Sequence, residues 1–272
     1  MALRAVLLDL DETLIPDRAA TRAALLATAA DLCAARGLDP AALGDAVLEA
    51  SGRLWRAGPH LAYCRRIGIS SWEGLWATFA LGDDADTAGL RGFAPAYRRA
   101  AWAAGLEALG VRDGDACAEL AERFAWERGQ RLRPFPETLP VLSALRCAGL
   151  RLVMLTNGDR DLQQRKAAGS GLAGLFDHVV ISGVLDVGKP EPGIFAHALR
   201  LCGAAPGEAA MVGDSLERDI AGGAGAGLRT VWLDRFGEGL PPGAPVPTAV
   251  LPDLAGLPAL LGGEPWAATS SP

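Results

Sequence analysis

Ala5-Val6-Leu7-Leu8-Asp9-Leu10-Asp11-Glu12-Thr13-Leu14 is the stretch that decides how this chain folds. Its leading residues, Ala5 to Leu8, are apolar without alternation, the pattern of a strand buried on both faces and hence of the interior of a parallel sheet. The run stops at Asp9 and Asp11, with Thr13 close behind. Open α/β sheets bind ligands at the carboxyl ends of their strands, so both acids stand where such a sheet would use them. Carboxylates this close raise each other's pKa unless a cation or proton lies between them. The spacing suits a hard divalent ion such as Mg²⁺, which takes one or two carboxylates together with waters and substrate oxygens. A strand followed by an ordinary polar turn is the competing reading.

The bulk composition narrows the classes. With 272 residues, 50% of them hydrophobic, the chain can bury one large core or two smaller ones. A net charge of −6 gives no electrostatic footprint for nucleic acid. No apolar run is long enough to span a bilayer, and the N-terminal apolar stretch is too short for a signal peptide and ends in acids. The cysteines (Cys33, Cys64, Cys117, Cys147, Cys202) are scattered and contain no C-x-x-C pair, which fits reduced thiols in the cytoplasm. His60, His178 and His197 show no ligand spacing. In a chain whose basic residues are otherwise all arginine, Lys166 and Lys189 stand out. A lysine there can mark a need for a compact ammonium, although Lys166 also reads as a solvated residue.

From about Asp17 to Arg133 the chain is rich in Ala, Leu, Arg and Glu and carries no convincing strand. Apolar residues at helical spacing from Ala23 to Cys33 end at Gly37, and further helices are expected around Ala41–Leu54, Ser71–Phe79, Pro95–Leu109 and Asp115–Arg128. Trp55, Trp72, Trp76, Trp102 and Trp126 fall in this segment and are expected mostly to form its own core. Arginines come in close pairs (Arg53 and Arg56, Arg65 and Arg66, Arg98 and Arg99), either as solvated helix faces or as one pair that receives a substrate anion. After Pro134-Phe135-Pro136, strands alternate with helices. Strands are expected at Leu150–Leu155, His178–Ile181, Ala209–Val212 and Thr230–Leu233, with an edge strand near Thr248–Leu251. Residues from Glu264 onward read as a frayed end. The glycines from Gly222 to Gly227 do not form G-x-G-x-x-G and read as close packing or a helix end. The architecture expected is α/β: a doubly wound, Rossmann-like parallel sheet of residues 1–16 and 133–272, with an all-helical domain, 17–132, inserted in it.

The strand ends form a set. Asp9 and Asp11 follow the first strand, Thr156-Asn157-Gly158 the second, and Gly213-Asp214 with Asp219 the fourth, while Lys189 lies in the loop after the third. Each reads singly as an ordinary turn, helix start or N-cap, but their occurrence in this order at strand ends is hard to attribute to chance. With D-x-D-x-T at Asp9, Asp11 and Thr13, the hydroxyl of Thr156, Lys189, and G-D-S-x-x-x-x-D at Asp214 and Asp219, the chain resembles the haloacid dehalogenase-like (HAD) hydrolase superfamily. The resemblance covers about Leu3–Leu14 and Arg133–Leu233, and the helical segment stands where the family carries a helical C1-type cap. It implies Asp9 as nucleophile and Asp11 as general acid/base. It also implies one Mg²⁺ held by the Asp9 side chain, the Asp11 backbone carbonyl and Asp214, with Asp219 supporting that loop. Stretches such as Thr156–Arg160 and Met211–Glu217 look especially like the branch that contains N-acylneuraminate phosphatases and nucleotidases.

The residue chemistry agrees with a Mg²⁺-dependent phosphatase for a small phosphorylated metabolite, a sugar phosphate or nucleoside monophosphate, working through an aspartyl-phosphate. Thr156 and the N–H groups near Asn157 and Gly158 would receive phosphate oxygens, and Lys189 would add a point positive charge. A phosphosugar mutase or a dehalogenase on the same frame, or a non-catalytic regulatory or scaffold protein, are the alternatives. Neither nucleic acid nor membrane is expected as a partner, and the protein is expected to be a monomer or homodimer.

Overall fold

The structure, a computed structural model, describes residues 2–262, so the frayed end expected from Glu264 lies outside the described residues. In chain order the elements are β1 (Ala5–Leu8), α1 (Asp17–Arg36), α2 (Pro40–Ala57), α3 (Leu61–Ile67), α4 (Ser71–Gly74), α5 (Ala85–Ala108), α6 (Gly114–Gly129) and α7 (Thr138–Cys147). They continue with β2 (Arg151–Thr156), α8 (Arg160–Gly169), β3 (His178–Ile181), α9 (Ser182–Leu185), α10 (Pro192–Cys202) and β4 (Ala209–Gly213). A π-helical stretch, Leu216–Ala221, then runs into α11 (Gly222–Gly225), followed by β5 (Arg229–Leu233), β6 (Ala249–Leu251) and α12 (Leu257–Gly262).

Every strand pairing is parallel, in the order β3-β2-β1-β4-β5-β6. β1 sits between β2 and β4, with Leu7 opposite both Val153 and Met211, and all of its residues are buried. This is why its sequence does not alternate: both faces are covered. On one face Leu7, Val153, Leu155 and Met211 pack with Ile194, Phe195 and Ala198 of α10. The helical stretch after β4 comes close enough that a Cβ at Gly222 would meet Phe195 and the backbone of Pro190, so close packing accounts for that glycine. No helix among the described residues is long and apolar enough to cross a membrane.

The described residues form two compact units, 2–16 with 133–157 and 170–262, and 17–132 with 158–169. The expected boundaries leave out one element: α8, placed by sequence with the sheet, groups with the helices. Lys166 is the reason. Of its two readings from sequence, a compact ammonium or a solvated residue, the solvated one does not hold: Lys166 is fully buried, with Nζ 2.8 Å from Glu73 and 3.2 Å from Asp17. Gln163 donates to the same Glu73 oxygen at 3.3 Å, and Thr78 donates to Asp161. Arg128, also fully buried, donates to Asp17 and Thr21 and lies 4.6 Å over the ring of Trp76. Trp72 donates to the other Asp17 oxygen at 3.0 Å. Two buried cations and two buried carboxylates thus neutralise each other, the arrangement that makes such burial tolerable.

Other expectations for the helical unit are corrected in detail. The helix expected over Ser71–Phe79 ends at Gly74, where a Cβ would collide with the ring of Trp55. The helix expected to begin at Pro95 starts at Ala85, N-capped by Asp84, whose side chain accepts from Thr87 N at 2.9 Å; Pro95 lies inside it. α3 is an additional helix, closed by Gly68 at φ 83°. Trp55, Trp76 and Trp102 are core residues, whereas Trp126 is 59% exposed. Arg53 pairs with Glu49, Arg66 with Asp86, and Arg98 donates to the carbonyls of Gly74 and Ala77, so a member of each arginine pair has a partner within its own unit.

Burial would raise the carboxyl of Asp17, but Lys166 and Arg128 outweigh it and hold its pKa at about 2. A group lowered in the fold adds stability above its unfolded pKa and loses it as the pH falls through the folded value. About 2 kcal/mol should therefore disappear between pH 4 and pH 2. Asp17→Asn should cost about 3 kcal/mol at pH 7 by leaving the cations short of charge, and should remove this part of the acid loss. Denaturant unfolding at pH 7 and pH 3 checks both; equal acid losses in the two proteins would remove Asp17 from this role.

Candidate active site

β1 and β4 lie side by side, and from them the chain winds outward in opposite directions, so their carboxyl ends flank the topological switch point where open sheets bind ligands. Asp9 extends β1 by donating its N–H to Val212 O at 3.0 Å, and Asp214 directly follows β4. Between them reaches Lys189. Its Nζ donates to Asp9 Oδ1 at 2.7 Å and to Asp219 Oδ1 at 2.6 Å, and its side chain is 2% exposed.

Asn157, at the end of β2, holds this lysine by its backbone. The amide oxygen of Asn157 accepts from Lys189 N and its amide nitrogen donates to Lys189 O, both at 2.8 Å. The Lys189–Pro190 peptide is cis. Asp219 is held as firmly: its second oxygen accepts from Ser215 N at 3.0 Å. A Cβ at Gly213 would collide with that carboxylate, so only glycine fits before Asp214. The loop after Asp214 is tied to β5 by Trp232 Nε1, which donates to Asp214 O at 2.8 Å.

Asp9, Asp214 and Asp219 bring side-chain oxygens within 4.8 Å of one another. Among the described residues the Lys189 ammonium stands against these carboxylates, which leaves negative charge in excess. Burial pushes the carboxyl of Asp214 up to about 8, with Asp9 and Asp219 adding to the rise. Burial likewise lifts Asp219, to about 6, against the lowering pull of Lys189. Burial acts to lower Lys189, but Asp219 and Asp9 overrule it and hold its pKa above the ordinary value. Oxygen donors with surplus negative charge fit a hard divalent cation. The resemblance implied the Asp9 side chain, the Asp11 backbone carbonyl and Asp214 as its holders, with Asp219 in support. Among the described residues the side chains that gather are Asp9, Asp214 and Asp219, and both oxygens of Asp219 are already engaged by Lys189 and Ser215. Asp9 and Asp214 are therefore the side chains suited to a metal, with Asp219 in support.

The other expected residues divide. Asp11 is half-buried in the loop after β1, where it bridges to Ile15. Thr13 is fully buried, and its hydroxyl has no hydrogen-bond partner among the described residues. Thr156 is buried, and its hydroxyl donates to Asn157 O at a long 3.4 Å. Gly158 has φ 143°, and a Cβ there would collide with Gln163. Sequence reasoning did not find Trp232, Glu137 or Arg235, which hold the loops of Asp214 and Asp11. The available signal was position alone: Arg235 lies just past β5, another strand end of the same sheet edge.

The family model of haloacid dehalogenase-like hydrolases matches residues 3–227, and the chain belongs to this family. Over 236 residues it is 39% identical to the phosphoserine phosphatase of Thermus thermophilus, covering 86% of this chain and 89% of that one. It is also 39% identical to human N-acylneuraminate-9-phosphatase over 156 residues, 56% of this chain and 62% of the human enzyme. Among solved structures, the 2-haloacid dehalogenase of Pseudomonas syringae pv. Tomato aligns with a TM-score of 0.58 and 28% identity, over 97% of this chain and 100% of that chain.

A metal bound to the folded state alone raises stability by mass action, about 2.7 kcal/mol at a hundredfold excess over its dissociation constant. Mg²⁺ should therefore raise the unfolding temperature of the wild type and leave that of Asp214→Asn nearly unchanged. An equal rise in both proteins, followed by differential scanning fluorimetry with and without chelator, would take Asp214 out of the metal site.

Proposed function

We propose that the chain is a Mg²⁺-dependent phosphatase that hydrolyses a small phosphorylated metabolite through an aspartyl-phosphate. The observation that carries this reading is the buried Lys189 ammonium fixed between Asp9 and Asp219 beside Asp214. A phosphate monoester is doubly charged and repels a carboxylate nucleophile, so a phosphatase needs fixed positive charge at the point of attack. Lys189 supplies one such charge and holds Asp9 in a single orientation. Bound by Asp9 and Asp214 with the Asp11 carbonyl, Mg²⁺ would neutralise charge between nucleophile and phosphate.

In this reading an Asp9 oxygen forms a bond to phosphorus as the ester P–O bond breaks. Asp11, entering as the carboxylic acid, gives its proton to the departing alkoxide. It then takes a proton from the water that attacks phosphorus, and the Asp9–phosphorus bond breaks to restore the carboxylate and release phosphate. The Thr156 hydroxyl, whose contact to Asn157 O is a long 3.4 Å, and the N–H groups at the end of β2 receive phosphate oxygens. Asn157, whose backbone N–H was read from sequence as a phosphate donor, also works through its side chain as the clip on Lys189.

The relatives support phosphate esters of small hydroxylated molecules as substrates: phosphoserine, phosphosugars and nucleoside monophosphates are the classes to test. The helical unit, inserted between the first and second strand-end motifs, is the segment we assign as substrate-selecting cap. A dehalogenase remains the second reading, favoured by the likeness to the P. syringae enzyme. Attack on carbon has no use for a second acid, so Asp11 speaks against it. The free cysteines among the described residues support a reducing compartment, the cytoplasm.

A phosphate-release screen over these substrate classes, with chloride release from 2-chloropropionate measured in parallel, tests the proposal. Phosphate release that stops with chelator is expected; halide release without phosphate release would overturn it. Asp9→Asn should lower turnover at least about 1,000-fold while its unfolding temperature stays close to wild type. Lys189→Arg should also be damaging, because a planar fork cannot occupy the place of a point charge. A folded Asp9→Asn protein with near-normal turnover would exclude Asp9 as nucleophile.

A further inference from the structure

Asp11 belongs to a tight loop whose conformation has a specific support. Glu12, the residue after it, is buried with φ 57°, a left-handed conformation that costs a side-chain-bearing residue energy. Within the loop, Glu12 N donates to Ile15 O at 2.9 Å and Leu14 N to Leu10 O at 2.9 Å. From outside, Leu14 O accepts from Phe135 N and from the Thr138 hydroxyl, both at 3.0 Å. The two carbonyls between Asp11 and Leu14 are both taken by one side chain. Arg235 Nε donates to Glu12 O at 2.9 Å and Nη2 to Thr13 O at 2.7 Å. Its third nitrogen, Nη1, pairs with Glu137 at 2.8 Å, its guanidinium carbon lies 3.7 Å from the ring centroid of Phe135, and its side chain is 9% exposed.

We propose that Arg235 is a positioning residue for Asp11: the planar guanidinium, fixed by Glu137 and Phe135, grips the carbonyls of Glu12 and Thr13 and thereby sets where the Asp11 carboxyl stands for proton transfer. This rests on the phosphatase reading above, in which Asp11 is the acid that protonates the leaving group. The chemistry favours arginine. Its donors form a rigid fork matched to two neighbouring acceptors, whereas lysine offers its donors from a single nitrogen. Buried carbonyls that lose their donor must be resolvated or rearranged, and rearrangement here acts first on Glu12, whose strained φ the contact sustains. A displacement of about 1 Å at a reacting group can cost about 100-fold in rate.

The role predicts a leaving-group dependence that a general loss of stability does not. kcat/KM reports steps up to the first irreversible one, where Asp11 protonates the departing oxygen. Phenyl phosphate releases a phenolate whose conjugate acid has a pKa of about 10; 4-nitrophenyl phosphate releases a more acidic phenol that needs little protonation. With Mg²⁺ present, Arg235→Ala should lower kcat/KM for phenyl phosphate by about 10- to 100-fold and for 4-nitrophenyl phosphate by less than about 3-fold. Arg235→Lys retains the cation beside Glu137 and Phe135, covers the case in which the alanine protein does not fold, and should show the same preference to an intermediate degree. Asp11→Asn, measured alongside, should show the largest preference.

Equal losses on both esters in the Arg235 variants, with a strong preference in Asp11→Asn, would overturn the positioning role and leave the phosphatase reading standing. No preference in Asp11→Asn, or no turnover of either ester by the wild type, would overturn the reading on which it rests.

Discussion

The ammonium of Lys189 between Asp9 and Asp219 is the contact on which the site depends. Without it, the carboxylates gathered at the ends of β1 and β4 would repel one another with no cation between them. With it, Asp9 is held in one orientation, while the crowding of acids is felt at Asp214, whose carboxyl is pushed up to about 8 mainly by burial. The protein holds this buried lysine by its backbone. Asn157 closes two hydrogen bonds on the peptide of Lys189, and the end of β2 is thereby tied to the loop that precedes α10. Gly213 contributes by omission, since any side chain there would occupy the space of the Asp219 carboxylate.

The sheet was legible because its strands are buried on both faces. Ala5–Leu8 and Ala209–Gly213 are apolar throughout, and in a chain that alternates strands with helices a short apolar run without alternation marks a central parallel strand. The site was legible for a related reason: parallel strands all open on one edge, so polar residues placed just past their ends converge. Asp9, Lys189, Asp214 and Asp219 were found by that rule, and the structure brings them together.

What sequence did not disclose depends on contacts between residues far apart in the chain. Pro95 reads as a helix start because its ring suits a first turn, yet α5 is nucleated upstream by the Asp84 cap and carries the proline in its interior. Lys166 reads as solvated because lysine usually is; its burial becomes intelligible only once Asp17 and Glu73, many residues away, are seen beside it. Arg235 follows β5 in an otherwise unremarkable loop, and nothing local reveals that it reaches back to the carbonyls of Glu12 and Thr13. Asn157 was assigned to the ligand through its backbone N–H; that its side chain closes on the peptide of Lys189 was not foreseen.

The grouping of α8 with the helices bears on how such a protein can be recombined. An insertion bounded by residues 17 and 132 suggests a module that could be exchanged between relatives by two crossovers. The contacts instead make 158–169 part of the same unit, so the heritable module is discontinuous. A chimera that replaced 17–132 alone would remove Asp17, Glu73 and Arg128 and leave Lys166 without the carboxylates that neutralise it, a buried charge stripped of its partners. A recombinant keeps these pairs when the donor also supplies the short helix beyond β2, or when acids matching Asp17 and Glu73 occur in the incoming segment.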